Sequence, residues 1–396
     1  MILIANPGST SYKCKVFDAD SMNVIFQASV ERIGDKIGFY SYSRENDTKI
    51  TRQVESKDYF AAVNLTIETL RQFAPIERLS AVGFKTVLAK GVTGCEYLSD
   101  DVIKAMEEYL PLAPVHNKVY LTAISVFKDI LPGIPLIGLF ETAFHQTIPR
   151  EAYLYGIPYP YFEKYGIRKY GFHGASHRYI YQRAAQLYSK NKDCFKVISC
   201  HLGGSSSIAA IKNGLSVDTS MGMSPQCGLL NSYRVGDIDS FALLYLMEKE
   251  RWSIEQTRQK LILESGVYGL SGVSGDFRDI EIAMKKGNKR AEIAFNTFAY
   301  QAKRYIGEYL AILNGADIIV FTGGAGQNSF QLRQKILNEM ENLGVVLDEQ
   351  LNANNPAEGL ISSAKSRIQI AVLPTNEELI VATEVKKLLD QKSTKA

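Results

Sequence analysis

The chain is poor in the residues that announce several kinds of chemistry. Of its 396 residues only five are histidine, five cysteine and one tryptophan. The cysteines (Cys14, Cys95, Cys194, Cys200 and Cys227) are odd in number, scattered and never spaced C-x-x-C. That excludes a disulfide framework and a thiolate zinc site, and points to reduced thiols in a cytoplasmic protein. No apolar run approaches the roughly 20 residues that a membrane span needs. Met1 leads straight into a strand-like run, with no basic stretch of the kind that opens a secretory signal. A formal net charge of +3 without any Lys/Arg block is too mild to argue for nucleic acid. What remains is an ordinary soluble composition, 46% hydrophobic and 22% charged, in a chain long enough for two or three domains.

What is present is organised around Val197–Met221, VISCHLGGSSSIAAIKNGLSVDTSM. An apolar run, Val197–Cys200, precedes Gly203-Gly204-Ser205-Ser206-Ser207. A second run at Ile208–Ile211, a turn at Lys212-Asn213-Gly214 and a third short strand follow. Glycines allow close backbone approach, and successive free N–H groups in such a turn cradle an anion. The N-terminus repeats the order: Ile2–Phe17 reads ILIANPGSTSYKCKVF, strand, Gly8-Ser9-Thr10-Ser11, strand, with Val24–Ala28 as a third. Two copies of one strand–phosphate turn–strand unit predict a duplicated α/β fold with a nucleotide held between its halves.

Gly38–Tyr42 reads as a further strand and Tyr59–Phe73 as an amphipathic helix. Leu79–Gly83 and Leu136–Phe140 are short apolar runs of the parallel-strand kind. The Pro- and Tyr-rich stretch Ile148–Lys169 sets a domain boundary near Arg150, giving domains 1–150 and 151–376. Helices are expected near Asp239–Lys249, Ser253–Glu264 and Lys289–Asn314. The last carries an apolar stripe of Ala291, Ala294, Phe295, Phe298, Ala302, Tyr305, Ile306 and Leu310. Ile318–Phe321 runs into a second Gly-rich turn, Thr322–Gly326. Ile368–Leu373 is the last strand before a terminal helix from Glu377 that packs back on the first domain.

All five histidines fall in Gly/Pro-marked segments: His116, His145, His173, His177 and His201. HGASH has the i, i+4 spacing of a helical metal pair, but Gly171 and Gly174 argue for a turn there and against zinc. Phosphate turns imply Mg²⁺, which prefers carboxylates and phosphate oxygens, and Glu141, Glu377 and Asp276 are candidate ligands. Arg234 and Arg278 sit in polar turns suited to phosphate, with a surface ion pair as the alternative.

The motifs NPGSTSYK, LAPVHN, FETAFHQT, YGFHGASH, SCHLGGSSS, VDTSMG, RVGDID, FTGGAGQNS and PTNEEL, in this order and along the whole chain, resemble the acetokinase family of acetate and propionate kinases. The resemblance implies a duplicated actin/sugar-kinase/Hsp70-like (ribonuclease H-like) ATPase fold with an interdomain active-site cleft, homodimeric assembly, and ATP with Mg²⁺ (or Mn²⁺) as co-substrate and cofactor. It assigns Asn6 and Glu377 to the metal. Ser9, Ser11 and Lys13 go to the first phosphate loop, and His173 and Arg234 to the transferring phosphoryl group. His116 is a further active-site histidine. His201, Leu202, Gly203, Gly204 and Ser205 match nucleotide-binding segments, as do Asp276, Phe277 and Arg278, and Gly323, Gly324, Ala325, Gly326 and Gln327. Val87, Val115, Phe172 and Pro225 form the acyl pocket.

Departures from the family pattern cluster at the chemistry. The family's catalytic arginine is Lys85 here, its aspartate is Glu141, an asparagine of its glycine turn is Gly204, and a glutamate is Gln327. Lysine is a point charge where arginine offers a planar fork, so the first exchange is not conservative. A carboxylate acceptor is already ionised at pH 7 and needs no strong base, and phosphoryl transfer is mainly positioning and charge neutralisation. The expectation is a reversible, Mg-ATP-dependent acetate kinase with Lys85, Glu141, His173 and Arg234 at the chemistry. The rivals are a kinase for propionate or a longer acid, and a catalytically weakened nucleotide-binding homologue.

Overall fold

The computed structural model describes residues 1–45, 47–189 and 194–393. They form two compact units, one of residues 1–143 with 376–396, the other of residues 144–375. The sequence expectation set its division near Arg150, on the short helix Arg150–Tyr153 inside the second unit.

The first unit is built on an eight-stranded sheet: β1 (Ile2–Pro7), β2 (Ser11–Phe17), β3 (Val24–Glu31), β4 (Gly38–Arg44), β5 (Ile50–Val54), β6 (Ala81–Phe84), β7 (Cys95–Tyr97) and β8 (Leu136–Leu139), in the order 5-4-3-2-1-6-8-7. The second holds a six-stranded sheet: β9 (Lys196–His201), β10 (Ser207–Lys212), β11 (Leu215–Thr219), β12 (Ile318–Thr322), β13 (Gly359–Leu360) and β14 (Gln369–Val372), in the order 11-10-9-12-14-13.

The duplication is visible strand by strand. In the first sheet β3, β2 and β1 run antiparallel, β1–β6 and β6–β8 are parallel, and β7 closes antiparallel on β8. In the second, β11, β10 and β9 run antiparallel, β9–β12 and β12–β14 are parallel, and β13 closes antiparallel on β14. The duplicated ATPase-type α/β architecture expected from the sequence is the one observed.

The central strands are mostly apolar because both faces are covered. In β9 and β12, Ile198, Cys200, Ile319 and Phe321 face the core under the long helix Lys289–Ile312. Val197, Ile318 and Val320 face the core under the helix Gly174–Tyr188. The long helix buries the whole expected stripe from Ala291 to Leu310, and Asn288 caps it by accepting from Arg290 N and Ala291 N.

Connectivity crosses between the units. The helix Gly174–Tyr188 follows β8 of the first sheet in sequence but packs on β9 and β12 of the second. The helix Glu377–Ser393 follows β14 but packs on β1, β6, β7 and β8 of the first unit. Gly83 makes that approach possible, since a Cβ there would stand 2.6 Å from Ile4 Cδ1 and 3.0 Å from Val385 Cγ2.

Two local expectations are corrected. HGASH is the start of a helix rather than a turn: the bend lies just ahead, with Gly171 at φ +75° and His173 at φ +57°, and the helix begins at Gly174. The Gly-rich stretch after β12 is likewise the first turn of a short helix, Gly323–Asn328, entered through Gly323 at φ +76°.

Candidate active site

In the first unit the candidate residues stand at the ends of the inner strands, where α/β sheets present ligands. Asn6 lies near the end of β1, and the turn Gly8–Ser11 follows it, closed by Gly8 N donating to Ser11 O at 2.8 Å. A Cβ at Gly8 would stand 2.7 Å from Ser11 Oγ, so a larger residue would have to turn that hydroxyl aside. Ser9 and Lys13 are exposed, as an anion-binding turn must be, and the Tyr59 hydroxyl holds the turn by donating to Ser11 O at 2.8 Å.

Lys85 directly follows β6 and Glu141 follows β8, whose exit is pinned by Glu141 N donating to Thr86 O at 2.8 Å. Glu377 opens the terminal helix. These three side chains meet: Lys85 Nζ is 3.1 Å from Glu141 Oε1 and donates to Glu377 Oε2. Burial works against the lysine's charge, but Glu377 and then Glu141 outweigh it and hold the ammonium well above the usual lysine range. The Tyr120 hydroxyl, whose pKa burial pushes upward, donates to Asn6 Oδ1 at 3.4 Å and feels the charges of all three. Among the described residues no group of three or more His, Cys, Asp and Glu could by itself hold a metal. Two carboxylates and an amide oxygen are hard donors that suit Mg²⁺ or Mn²⁺ completed by phosphate oxygens, and they fit poorly to zinc. Val87 of the expected acyl pocket is buried, Val115 is 42% exposed on the helix Pro114–Ile130, and His116 beside it is half-buried.

In the second unit four of the five histidines each pair with a serine, and His173 and His177 share one. His145 Nε2 meets Phe172 O at 2.9 Å; a carbonyl only accepts, so the proton is on Nε2 and Ser216 donates to Nδ1 at 2.8 Å. Burial drives the His145 pKa down to about 4 and depresses that of His177 strongly, so both rings are neutral at pH 7. Ser207 Oγ lies 2.8 Å from both His173 Nδ1 and His177 Nε2, and His177 Nδ1 is 2.9 Å from Ser199 Oγ. His173 stacks on His201 at 4.3 Å, and His201 Nδ1 is held by Ser176 at 2.8 Å. Arg234, buried, donates to Ser205 Oγ in the glycine–serine turn. Phe172 and Pro225 are buried in this unit.

Beside that turn lies a cavity of about 860 Å³, lined by Gly203 and Gly204, by Ser232 and Tyr233, by Gly275–Arg278 and Glu281, and by Gly324, Ala325, Asn328 and Ser329. Its volume falls in the range of small-molecule and cofactor sites. Leu202, buried next to Gly203, ties the lining turns together: its N–H donates to Thr322 O, and its carbonyl accepts from Ala325 N and Gly326 N at 2.9 and 3.0 Å. Asp276 caps the helix Phe277–Lys285 and pairs with Arg278, while Phe277 also packs on Phe298. Behind the short glycine helix sits Arg333, fully buried. Its donors reach Gly326 O and Gln327 O, Asn352 Oδ1 and O, and Asn355 Oδ1. All its partners are neutral, and burial lowers its pKa to about 10, still charged at pH 7.

A family model described as the acetokinase family matches residues 1–383. The chain belongs to the acetokinase family. An acetate kinase of Halothermothrix orenii is 43% identical over 98% of this chain and 99% of its own length, and one of Thermoanaerobacterium thermosaccharolyticum is 44% identical over the same shares. Among solved structures, acetate kinase of Porphyromonas gingivalis superposes with TM-score 0.86 at 37% identity, covering 98% of this chain and 99% of that one. A propionate kinase from Francisella tularensis gives 0.89 at 32% identity, covering 97% and 98%.

Within this acetokinase-family chain, sequence reasoning missed Ser232, Tyr233, Glu281, Asn328, Ser329 and Arg333. Asn328 and Ser329 are the last two residues of the quoted FTGGAGQNS motif, which was read for the nucleotide only as far as Gln327. Arg333 carried no signal, because a lone arginine in FQLRQKIL reads as a solvated helix face.

Proposed function

We propose that this chain is an ATP- and Mg²⁺-dependent kinase that reversibly phosphorylates a short-chain carboxylate, acetate first. An acceptor oxygen attacks the γ-phosphorus in line as the bond to ADP breaks, giving acetyl phosphate and ADP. In the first unit Asn6, Glu141 and Glu377 would hold the metal, which supplies charge neutralisation to the phosphates when bound. Ser9, Ser11 and Lys13 offer donors to phosphate oxygens, with His116 a further contact. In the second unit Arg234 neutralises charge on the transferring group and His173 donates a hydrogen bond to it, and the 860 Å³ cavity takes the nucleotide.

The observation that carries this reading is the Lys85 bridge. Both carboxylates of this cluster are engaged by one ammonium, which suits them to hold cations rather than to take a proton from a hydroxyl acceptor. A carboxylate acceptor, ionised far below pH 7, needs none. A longer acid such as propionate is the second reading, favoured by the likeness to a propionate kinase. One methylene is worth only about 1–3 kcal/mol of discrimination.

The test is acyl-phosphate formation trapped by hydroxylamine, with Mg-ATP and acetate, propionate, butyrate or no acid. Turnover highest with acetate supports the reading. Absence of turnover with every acid, in protein that still binds ATP, refutes it and leaves a nucleotide-binding homologue. Lys85→Arg with Glu141→Asp then tells whether these two departures caused the loss.

Homodimeric assembly is part of the proposal. None of the residues of the helix Ser240–Glu250 is buried, and Phe241, Leu244 and Tyr245 are 79%, 56% and 60% exposed. Such a face fits a second copy of the chain, and sedimentation of the Phe241→Glu variant checks it. All five cysteines are free, in keeping with a reducing, cytoplasmic setting. Among the described residues no helix is long and apolar enough to cross a membrane.

A further inference from the structure

We propose that Lys85 is a resident cation for the Glu141–Glu377 pair, which a divalent metal must displace, so that metal entry and release of the lysine ammonium are one event. The inference rests on the kinase reading for its biological use, but its geometry stands by itself.

Lys85 Nζ lies 3.1 Å from Glu141 Oε1 and donates to Glu377 Oε2. The three side chains are exposed by only 18%, 9% and 12%, so water does little of the compensation. An ammonium and a small divalent ion compete for the same carboxylate lone pairs. Lysine suits such a placeholder because its charge is compact and its four-carbon stem swings freely, whereas an arginine fork locks a carboxylate bidentately.

Charge arithmetic fixes the direction of the exchange. Two carboxylates with one ammonium leave one negative charge in the pocket. A divalent ion added beside the lysine would leave a net positive charge; in its place, it makes the pair neutral. The displaced ammonium then needs an anion, and an acceptor carboxylate or a phosphate oxygen supplies it. Metal and anionic ligand therefore strengthen each other's binding, by the same factor in either order. In the metal-free state the lysine keeps two inward-facing carboxylates from repelling each other.

The test is direct Mn²⁺ titration of the full chain, read by the electron-paramagnetic-resonance signal of free Mn²⁺, without nucleotide and without turnover. A protein whose competent state is a minor population binds with affinity reduced by that fraction, so Lys85→Met should bind Mn²⁺ at least about tenfold more tightly than the unmodified chain. Lys85→Met with Glu377→Gln should lose that gain. Mn²⁺ should also raise the melting temperature of Lys85→Met by more than that of the unmodified chain. If Lys85→Met lacks a cooperative melting transition, Lys85→Gln carries the same titration. Unchanged or weaker Mn²⁺ binding without the lysine overturns the proposal. So does a gain that survives Glu377→Gln, or no binding by any variant. Failure of the kinase reading would show instead as absent acyl-phosphate formation, which this titration does not measure.

Discussion

Ser207→Ala is the sharpest probe of the second unit. One hydroxyl, at 2.8 Å from each ring, is shared by His173 Nδ1 and His177 Nε2, and it has a single proton to give. When Ser207 donates to His173, that ring keeps its proton on Nε2, where the proposed reaction would present it to a phosphoryl oxygen. His177 must then donate to Ser207 through its own Nε2–H and accept from Ser199 at Nδ1. Alanine removes both bonds and leaves a ring nitrogen of fully buried His177 without this partner, which costs about 1–3 kcal/mol of stability. It also frees the tautomer and tilt of His173. A misplacement of about 1 Å is worth about 10²-fold, and a wrong imidazole tautomer up to about 10⁴-fold, so kcat should fall about 10²-fold with KM for acetate little changed. The assay is the hydroxylamine-trapped initial rate in four proteins: unmodified, Ser207→Ala, His173→Ala and the double variant. If Ser207 acts through His173, its effect vanishes once His173 is gone. An equal fall in both backgrounds, or a fall under about threefold in the single variant, refutes the relay.

Gly204→Asn adds an amide donor at the glycine–serine turn proposed for the nucleotide, where a Cβ would meet only Ser232 Oγ, at 3.4 Å. KM for ATP should fall about fivefold, one hydrogen bond's worth, and an unchanged or raised KM in folded protein counts against the placement. Arg333→Met strips five hydrogen bonds from Gly326 O, Gln327 O, Asn352 and Asn355. It should lower unfolding free energy by about 3 kcal/mol or more and weaken ADP binding, as read by urea midpoints and calorimetry. Acid should destabilise through His145, whose pKa falls from 6.5 to about 4 on folding. Its stabilisation is full above pH 6.5 and is lost as pH drops towards 4, because the unfolded chain takes up the proton first. The loss is about 3 kcal/mol, and a His145→Gln variant should show a flatter stability profile over that window.

The sheets were legible because they follow from local pattern. The all-apolar runs at Ile2–Ala5 and Ile318–Phe321 have no solution but a strand covered on both faces, and both are buried inner strands. Boundaries were less legible where one residue decides them. Gly174 reads as a helix breaker, yet the left-handed position is His173, whose ring meets Ser207 of a distant strand that no local pattern reveals. The carboxylate–lysine cluster was legible as three separate residues, but not as a contact, since Lys85 and Glu377 lie far apart in sequence and meet only through the fold. The buried Arg333 was out of reach for the same reason: its five partners lie on carbonyls and amides that no pattern marks.

The crossed helices fix an order on the ribosome. The first sheet is complete in sequence once Leu139 has been made, but its inner strands stay uncovered by Glu377–Ser393 until that helix leaves the exit tunnel. At roughly 5–20 residues per second, synthesis of the intervening chain takes tens of seconds or less. Through that interval the nascent N-terminal half carries a bare apolar surface around Ile4 and Gly83. A chain stopped short of Glu377 should therefore be a client of chaperones and proteases rather than a smaller stable protein.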